Sequence, residues 1–522
     1  MFDSALMRWP DLVVIGLNFA AMVVIGIYCA RKTGSADAYF LANRSMPGWV
    51  VAVSMMATIV SSMTFLATPG YTFHNDWRFM PAHALYFVPA IVAYFIFMPF
   101  FRRSNIRSAY EYLELRFGTW ARLYGATTFL FYHMFRTGII LYSVSLPFQY
   151  MIGVDLASVI AILGILVAIY TVAGGIEAVI YTDFIQGLAL MIGGLIVVPI
   201  IAYLLPGGFS QIISEAYADG KFSWGNTGLE SSKRLAEVLY SEKTVWVIIV
   251  NYQFMFLQML CTDQNMVQRY LAMKSDKDAR RGFILGTALI IPVWMYFAFI
   301  GTALYVYYKA FPATALNGVQ PEEVFPYFIL TQVPAGVAGF ILAGLLAAAM
   351  STLDSSINAS AATLTNDFYR RFRPHAGNER HYLGVGRLFS ILFAGIMILV
   401  ALSIHWMRTQ TLMELQTVLY PVVSAGLLSL FLLGFLTVRV GSRAALIATG
   451  STVLLVAGWV FLTSETGERA FPSISNWIPN DFWLGVIPHL FLLVLGLLVS
   501  YAVGRDQDRS LTGLTIWTTE KE

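Results

Sequence analysis

Apolar runs of about 20 residues recur along this chain, each long enough to cross a hydrocarbon core of about 30 Å. They are continuous rather than alternating, which excludes a β-barrel. The fold class is therefore an all-α polytopic membrane protein. Only 12% of the 522 residues are charged and 58% are hydrophobic, whereas a soluble chain carries about 25% charged residues. Thirteen spans are expected, over 11–30, 47–73, 81–101, 122–149, 155–174, 183–206, 243–264, 281–309, 335–363, 383–405, 411–437, 441–463 and 483–504. The first run is too long for a cleaved signal peptide and lacks its small-residue cleavage site. Cys29 and Cys261 both fall in apolar spans, so no disulfide framework is implied. The net charge of +3 says nothing of nucleic acid, because the basic residues gather in loops.

Alternate loops are basic: "RK" at 31–32, "RRSNIR" at 102–107, "KSDKDARR" at 274–281, "RRFR" at 370–373 and "RVGSR" at 439–443. Lys and Arg collect on the cytoplasmic side of a membrane. The N-terminus is thus expected outside and the C-terminus inside, which demands an odd number of spans. The longest outer segment, about 207–242, holds "SQIISEAYADGKF" and reads as a short surface helix with loops. Both tails are short, so no attached soluble domain is expected. No GxxxxGK[ST], HExxH or plausibly placed GxSxG occurs, which argues against an ATP-driven pump and an intramembrane hydrolase. The chain does not read as an enzyme.

Two spans carry more hydroxyls than an oily helix needs. "SMMATIVSSMTFLATPG" (54–70) holds Thr58, Ser61, Ser62, Thr64 and Thr68 and ends on Pro69 and Gly70. "AAAMSTLDSSINASAATLTND" (347–367) places Ser351, Thr352, Ser355 and Ser356 on one helical face. A small hard cation takes several such neutral oxygens, together with carbonyls freed by an unwound helix. Broken helices near the midplane form the ion and solute sites of secondary transporters. The competing reading is structural: Ser and Thr bond back to their own helix, and small residues let helices pack closely.

Ionisable residues within spans are few and are candidates for function. They are Arg136, Asp183 and Asp354, with His83 and His133 less committed. A guanidinium stays charged and forks onto carboxylates. Arg136 therefore either clamps an acidic solute or pairs with an internal group. Asp183 either binds a cation or caps a helix start.

"YTVAGGIEAVIYTDFIQG" (170–187), "DQNMVQRYLAMKS" (263–275) and "STLDSSINASAATLTNDFYRR" (351–371), with "DAYFLANRSMPGW" ahead of the second span, resemble the motifs of the sodium:solute symporters, the sodium/glucose cotransporter family. The pattern is most similar to that of bacterial sialic-acid symporters and covers almost the whole chain. The resemblance implies the LeuT-type fold with 5+5 inverted repeats. The divisions would be a first added helix and inner loop (1–46), a first repeat (47–206), an outer loop (207–242), a second repeat (243–437), and two added helices with a short cytoplasmic tail (438–522). The seventh span has no Gly or Pro to mark the break that symmetry requires. Asn251, Gln253 and Gln258 are its available polar groups.

Carried over by position, the resemblance implies a first Na+ site from the carbonyls of Ala57, Val60 and Ala348 and the hydroxyls of Ser351 and Thr352. A second Na+ site would use Asp183, Ser351, Asp354 and Ser355. The family pattern has serine at the place of Asp354; a carboxylate there either strengthens the site or holds a proton. The solute would meet Ser61, Ser62, Thr64, Phe79, His83 and Arg136, with Phe65 as a further wall. His83 stands where the pattern has a glutamine. The implied function is sodium-coupled import of a small carboxylate-bearing solute such as sialic acid by alternating access. Na+ is the coupling ion, no cofactor is needed, a monomer suffices, and the bacterial inner membrane is the expected location. The alternatives are symport of a neutral sugar, monocarboxylate or vitamin, proton coupling through Asp354 or His83, and a membrane sensor.

Overall fold

The computed structural model describes residues 8–31, 33–103, 106–228, 235–316, 318–373, 378–407, 420–475, 477–504 and 511–518. Among the described residues the chain is helical, with one isolated β-bridge between Met46 and Met273. Numbering only the principal helices, α1 (Trp9–Ala30) is the first span. The second span is broken into α2 (Gly48–Ile59) and α3 (Met63–His74), which meet at a bend of 60°. Val60 leaves the helix at φ −80°, ψ 96°. Beyond it the Met63 amide donates to Ser61 Oγ at 3.2 Å instead of to a helical carbonyl.

The break therefore lies at Val60 and not at the helix breakers Pro69 and Gly70. The chain stays helical through that pair to His74. Proline is tolerated here in the first turn of an α-helical segment, just after a π-helical stretch over Met63–Ala67. Gly70 serves a different purpose: a Cβ there would lie 2.1 Å from the Pro321 carbonyl oxygen. Pro321 opens α10 (Pro321–Gln332), a helix that the hydropathy pattern does not announce.

Helices α4 (Met80–Arg103) and α5 (Thr119–Ile152) follow. Next, α6 (Leu156–Leu204) is two spans joined at Gly175, which adopts φ 64°, ψ −161°. Glycine alone takes that conformation without strain. Helix resumes directly after Gly175, so the sixth span begins near 176 rather than 183. Asp183 consequently sits about two turns inside a helix and is no N-terminal cap. Polar Glu177 and Thr182 had masked this start in the hydropathy pattern.

The seventh span also extends beyond its expected end at 264. Helix α7 (Val245–Thr262) is unbroken, Asp263 interrupts it at φ −77°, ψ 122°, and α8 (Gln264–Ala272) continues with all nine residues buried. Its break uses none of Asn251, Gln253 and Gln258. Asn251 donates to the Phe482 carbonyl, and Gln253 to the Ala82 carbonyl at 3.0 Å.

Helix α9 (Asp276–Ala310) precedes α10, and α11 (Val337–Thr363) runs through the centre of the molecule. From Ile341 to Thr363 every α11 side chain is buried. Its Ala, Gly and Ser residues let α1, α2, α5 and α6 approach closely. Helices α12 (Glu379–Met407), α13 (Leu427–Leu436), α14 (Ser442–Leu462) and α15 (Ile487–Val503) complete the set. The first part of the eleventh expected span, 411–419, lies outside the described residues, as do 408–410 before it. Among those described, nine helices are long and apolar enough to cross a membrane, or ten when the bent pair counts as one span.

Candidate functional site

The two hydroxyl-rich segments converge at the break. Ser351 Oγ donates to the Ala57 carbonyl at 2.7 Å, and Thr352 Oγ1 to the Thr58 carbonyl at 3.1 Å. Both hydroxyls also reach the Ala348 carbonyl, at 3.2 and 3.3 Å. A helical Ala57 carbonyl would accept from the residue four places on; the turn at Val60 releases it. Four of the five oxygens expected for a first Na+ site are thus gathered between α2 and α11. Val60 lies at the bend itself and is fully buried. Several neutral oxygens in a dry setting are a donor set that suits a hard monovalent cation.

Beside this cluster lies a buried ion pair that the hydropathy pattern conceals. Arg269 of α8 and Asp183 of α6 are both fully buried, with Nη2 2.7 Å from Oδ2. Ser54 donates to the same carboxylate oxygen at 2.6 Å. The guanidinium also reaches Thr58 Oγ1 and Ser355 Oγ at 2.5 Å each, and the Asn265 carbonyl at 3.1 Å. Two residues expected at a second Na+ site, Asp183 and Ser355, are brought together around this internal cation. Asp354 faces another way. It accepts from Tyr170 Oη at 3.0 Å, from Thr182 Oγ1 at 3.5 Å and from the Ser355 amide at 2.6 Å. Asp183 Oδ1 and both polar atoms of Gln186, one turn further along α6, are buried with no hydrogen-bond partner.

Ser61, Thr64, Phe79, His83 and Arg136 line one cavity, which extends from Ile59 at the break to Asp76 beyond α3. Ser62 does not: it turns to Ser143 Oγ of α5 at 3.0 Å. Phe65 is fully buried against Phe297 and Phe325, with ring centroids 5.1 Å from each, and forms no wall. Arg136, on α5, is 8% exposed, and among the described residues it forms no ion pair. Its Nε has no hydrogen-bond partner. Asp263 is engaged elsewhere, with His133 Nε2 at 3.0 Å and the Asn265 amide at 2.8 Å. His133 in turn holds Ser356 Oγ of α11 at 3.0 Å. The guanidinium stands over the Tyr132 ring, 6.0 Å from its centroid; a buried guanidinium without an ion partner is costly in a membrane interior, and here it faces a cavity.

Sequence reasoning missed most of the cavity wall. Tyr132, Tyr252, Phe256, Trp294 and Tyr420 come from four segments far apart in the chain. Tyr252 and Phe256 share a face of α7 at a spacing of four, which was a usable signal.

Comparison with known proteins places this architecture. The profile described as "Sodium:solute symporter family" matches residues 39–450. The chain belongs to the sodium:solute symporter family. The symporter is 31% identical over 480 residues to the sodium/sialic acid symporter SiaT of Proteus mirabilis, covering 91% of this chain and 92% of that one. A solved substrate-bound, outward-open structure of a Na+-coupled sialic acid symporter superposes with a TM-score of 0.86 at 28% identity, covering 96% of this chain and 99% of that one. The nucleobase-cation symporter Mhp1 superposes with a TM-score of 0.57 at 15% identity over 91% of this chain and 97% of that one, a likeness of fold alone. The symporter has the LeuT-type fold, and Na+ is its coupling ion.

Proposed function

We propose that this symporter imports a small carboxylate-bearing solute with Na+ by alternating access. The observation that carries the proposal is the meeting of Ser351 and Thr352 with the carbonyls released at Val60, directly below a cavity edged by Arg136, which forms no ion pair among the described residues. Ala57, Val60, Ala348, Ser351 and Thr352 would hold the first Na+, their hydroxyl hydrogens turning away as it binds. Because these groups belong to two helices, Na+ binds best when the helices are together. A ligand shifts a conformational equilibrium only through such a difference in affinity. The solute then binds above, with Ser61, Thr64, Phe79, His83 and Arg136 around it and Arg136 on its carboxylate. Sialic acid, the solute named for the Proteus mirabilis relative, is one member of that class.

A second Na+ is favoured by the free oxygen of Asp183 and the uncommitted Gln186. The basic loops support an outer N-terminus, an inner C-terminus and a place in a bacterial inner membrane. Helices 47–206 and 243–437 form the two repeats, and one copy of the chain holds a full set of site residues.

The test is uptake into proteoliposomes with sodium and pH gradients imposed separately. Sodium-driven accumulation is expected. Accumulation driven by a pH gradient with no sodium would replace this reading with proton coupling.

A further inference from the structure

The walls of the solute cavity select among carboxylates. Tyr71, Phe79, Tyr252 and Phe256 form a connected series, with ring centroids 4.9, 5.8 and 5.6 Å apart. Phe256 then stacks on Trp294 at 5.3 Å, and His83 meets Trp294 edge-on at 4.5 Å. Met63, Met80, Met255 and Met259 share the lining, and methionine is polarizable and adaptable.

Several polar groups on this lining are engaged within the protein, and Thr64 and Thr68 add hydroxyls to it. Asp76 is held by Arg78 at 2.7 Å, Thr72 donates to the Ala298 carbonyl at 2.8 Å, and Ser61 accepts from Met63. His83 donates through Nδ1 to the Phe79 carbonyl at 2.9 Å, which leaves Nε2 an acceptor. Among the described lining residues there is no Asn, Gln, Glu or Lys. Sugars do stack a C–H face on an aromatic ring. Their rim of hydroxyls, however, is best met by carboxamides, which donate and accept, and by carboxylates, which accept in pairs, and a hydroxyl buried without a partner weakens binding. An apolar body loses nothing against such a wall.

We infer that the solute is a carboxylate joined to an aromatic or branched hydrocarbon body, and not a polyhydroxylated acid. Arg136 takes the carboxylate, and the series from Tyr71 to Trp294 takes the body. This rests on the symport reading above and narrows it.

The experiment is a thermal-shift titration of the purified full chain, in sodium and in potassium. The probes are phenylacetate, 4-methylpentanoate, N-acetylneuraminate, glucuronate and phenylacetamide. In sodium the two apolar carboxylates should half-saturate at a concentration about tenfold or more below either sugar acid, and the amide should give no shift. Phe256→Asn should narrow that gap, while the midpoint without solute shows whether the variant folds. Sugar acids binding as tightly as phenylacetate, or no shift with either apolar carboxylate, would overturn the inference. An amide that binds as well as the acid removes the role of Arg136 and overturns it too. Equal shifts in sodium and potassium would leave the pocket's preference intact and sink the sodium-coupled reading instead.

Discussion

At the scale of the residue, the Ser351 hydroxyl and the buried ion pair make separable predictions. Ser351→Ala removes one oxygen from the first Na+ site without adding bulk. Losing one ligand worth about 1.4 kcal/mol raises the sodium concentration for half-maximal uptake about tenfold. An unchanged sodium dependence counts strongly against the site. Asp183→Asn strands a fully buried guanidinium, and breaking such a pair costs about 3–5 kcal/mol. Its thermal midpoint should fall well below that of Ser351→Ala. The paired replacement Asp183→Leu with Arg269→Met should recover most of the midpoint. Failure of that rescue would mean that the pair is not the source of the loss. The two arginines also show what was legible from sequence. Arg136 stands out because apolar residues flank it on both sides. Arg269 does not, because Gln264, Asn265 and Gln268 around it make the segment read as a polar loop.

At the scale of the element, the second span shows how a right reading of composition can misplace a feature. Its hydroxyls do mark a broken helix, and carbonyls near 57–60 do meet α11. Pro69 and Gly70 look like the break, yet proline is compatible with a first helical turn, and glycine is chosen for a contact made 251 positions along the chain, at Pro321. No local pattern reports such a partner. Gly70→Val should therefore leave α3 helical and push α10 away, costing about 1–3 kcal/mol by overpacking. Cysteine cross-linking between α3 and α10 would detect the displacement; an unaltered cross-linking rate would show that α10 does not rest on that spot. The extension of the seventh span into α8 was hidden for a similar reason. Arg269 serves Asp183, Ser54 and Thr58 across the core, Gln264 the Ala109 amide, and Gln268 the Phe40 carbonyl and Asn358; hydropathy scores only what each residue would do alone.

At the scale of the whole molecule, the architecture was the most legible part, since crossing a bilayer imposes length and apolarity on each span separately. The cavity was the least legible, because its rings are contributed by distant helices in a chain where 15% of residues are aromatic. Coupling belongs to this scale as well. Each charge crossing 100 mV gains about 2.3 kcal/mol, and a tenfold sodium gradient gives about 1.4 kcal/mol per ion. Two ions supply roughly 7 kcal/mol, and a monoanion returns about 2.3 of it to the membrane potential. If two ions travel with each monoanion, a valinomycin-imposed inside-negative potential should speed uptake. If the stoichiometry is one to one, no net charge moves and the final accumulation ratio should ignore that potential.

The fixed pair of Asp183 and Arg269 bears on the half of the cycle in which nothing is carried. Once its cargo has left for the cell, the protein must reset across a charged membrane. A bare aspartate in the core would then be a lone ion, stalled by its own hunger for water. Arg269 stays tethered beside it, a counter-charge that is never shipped, so this carboxylate need not wait for a passenger before the empty carrier turns round.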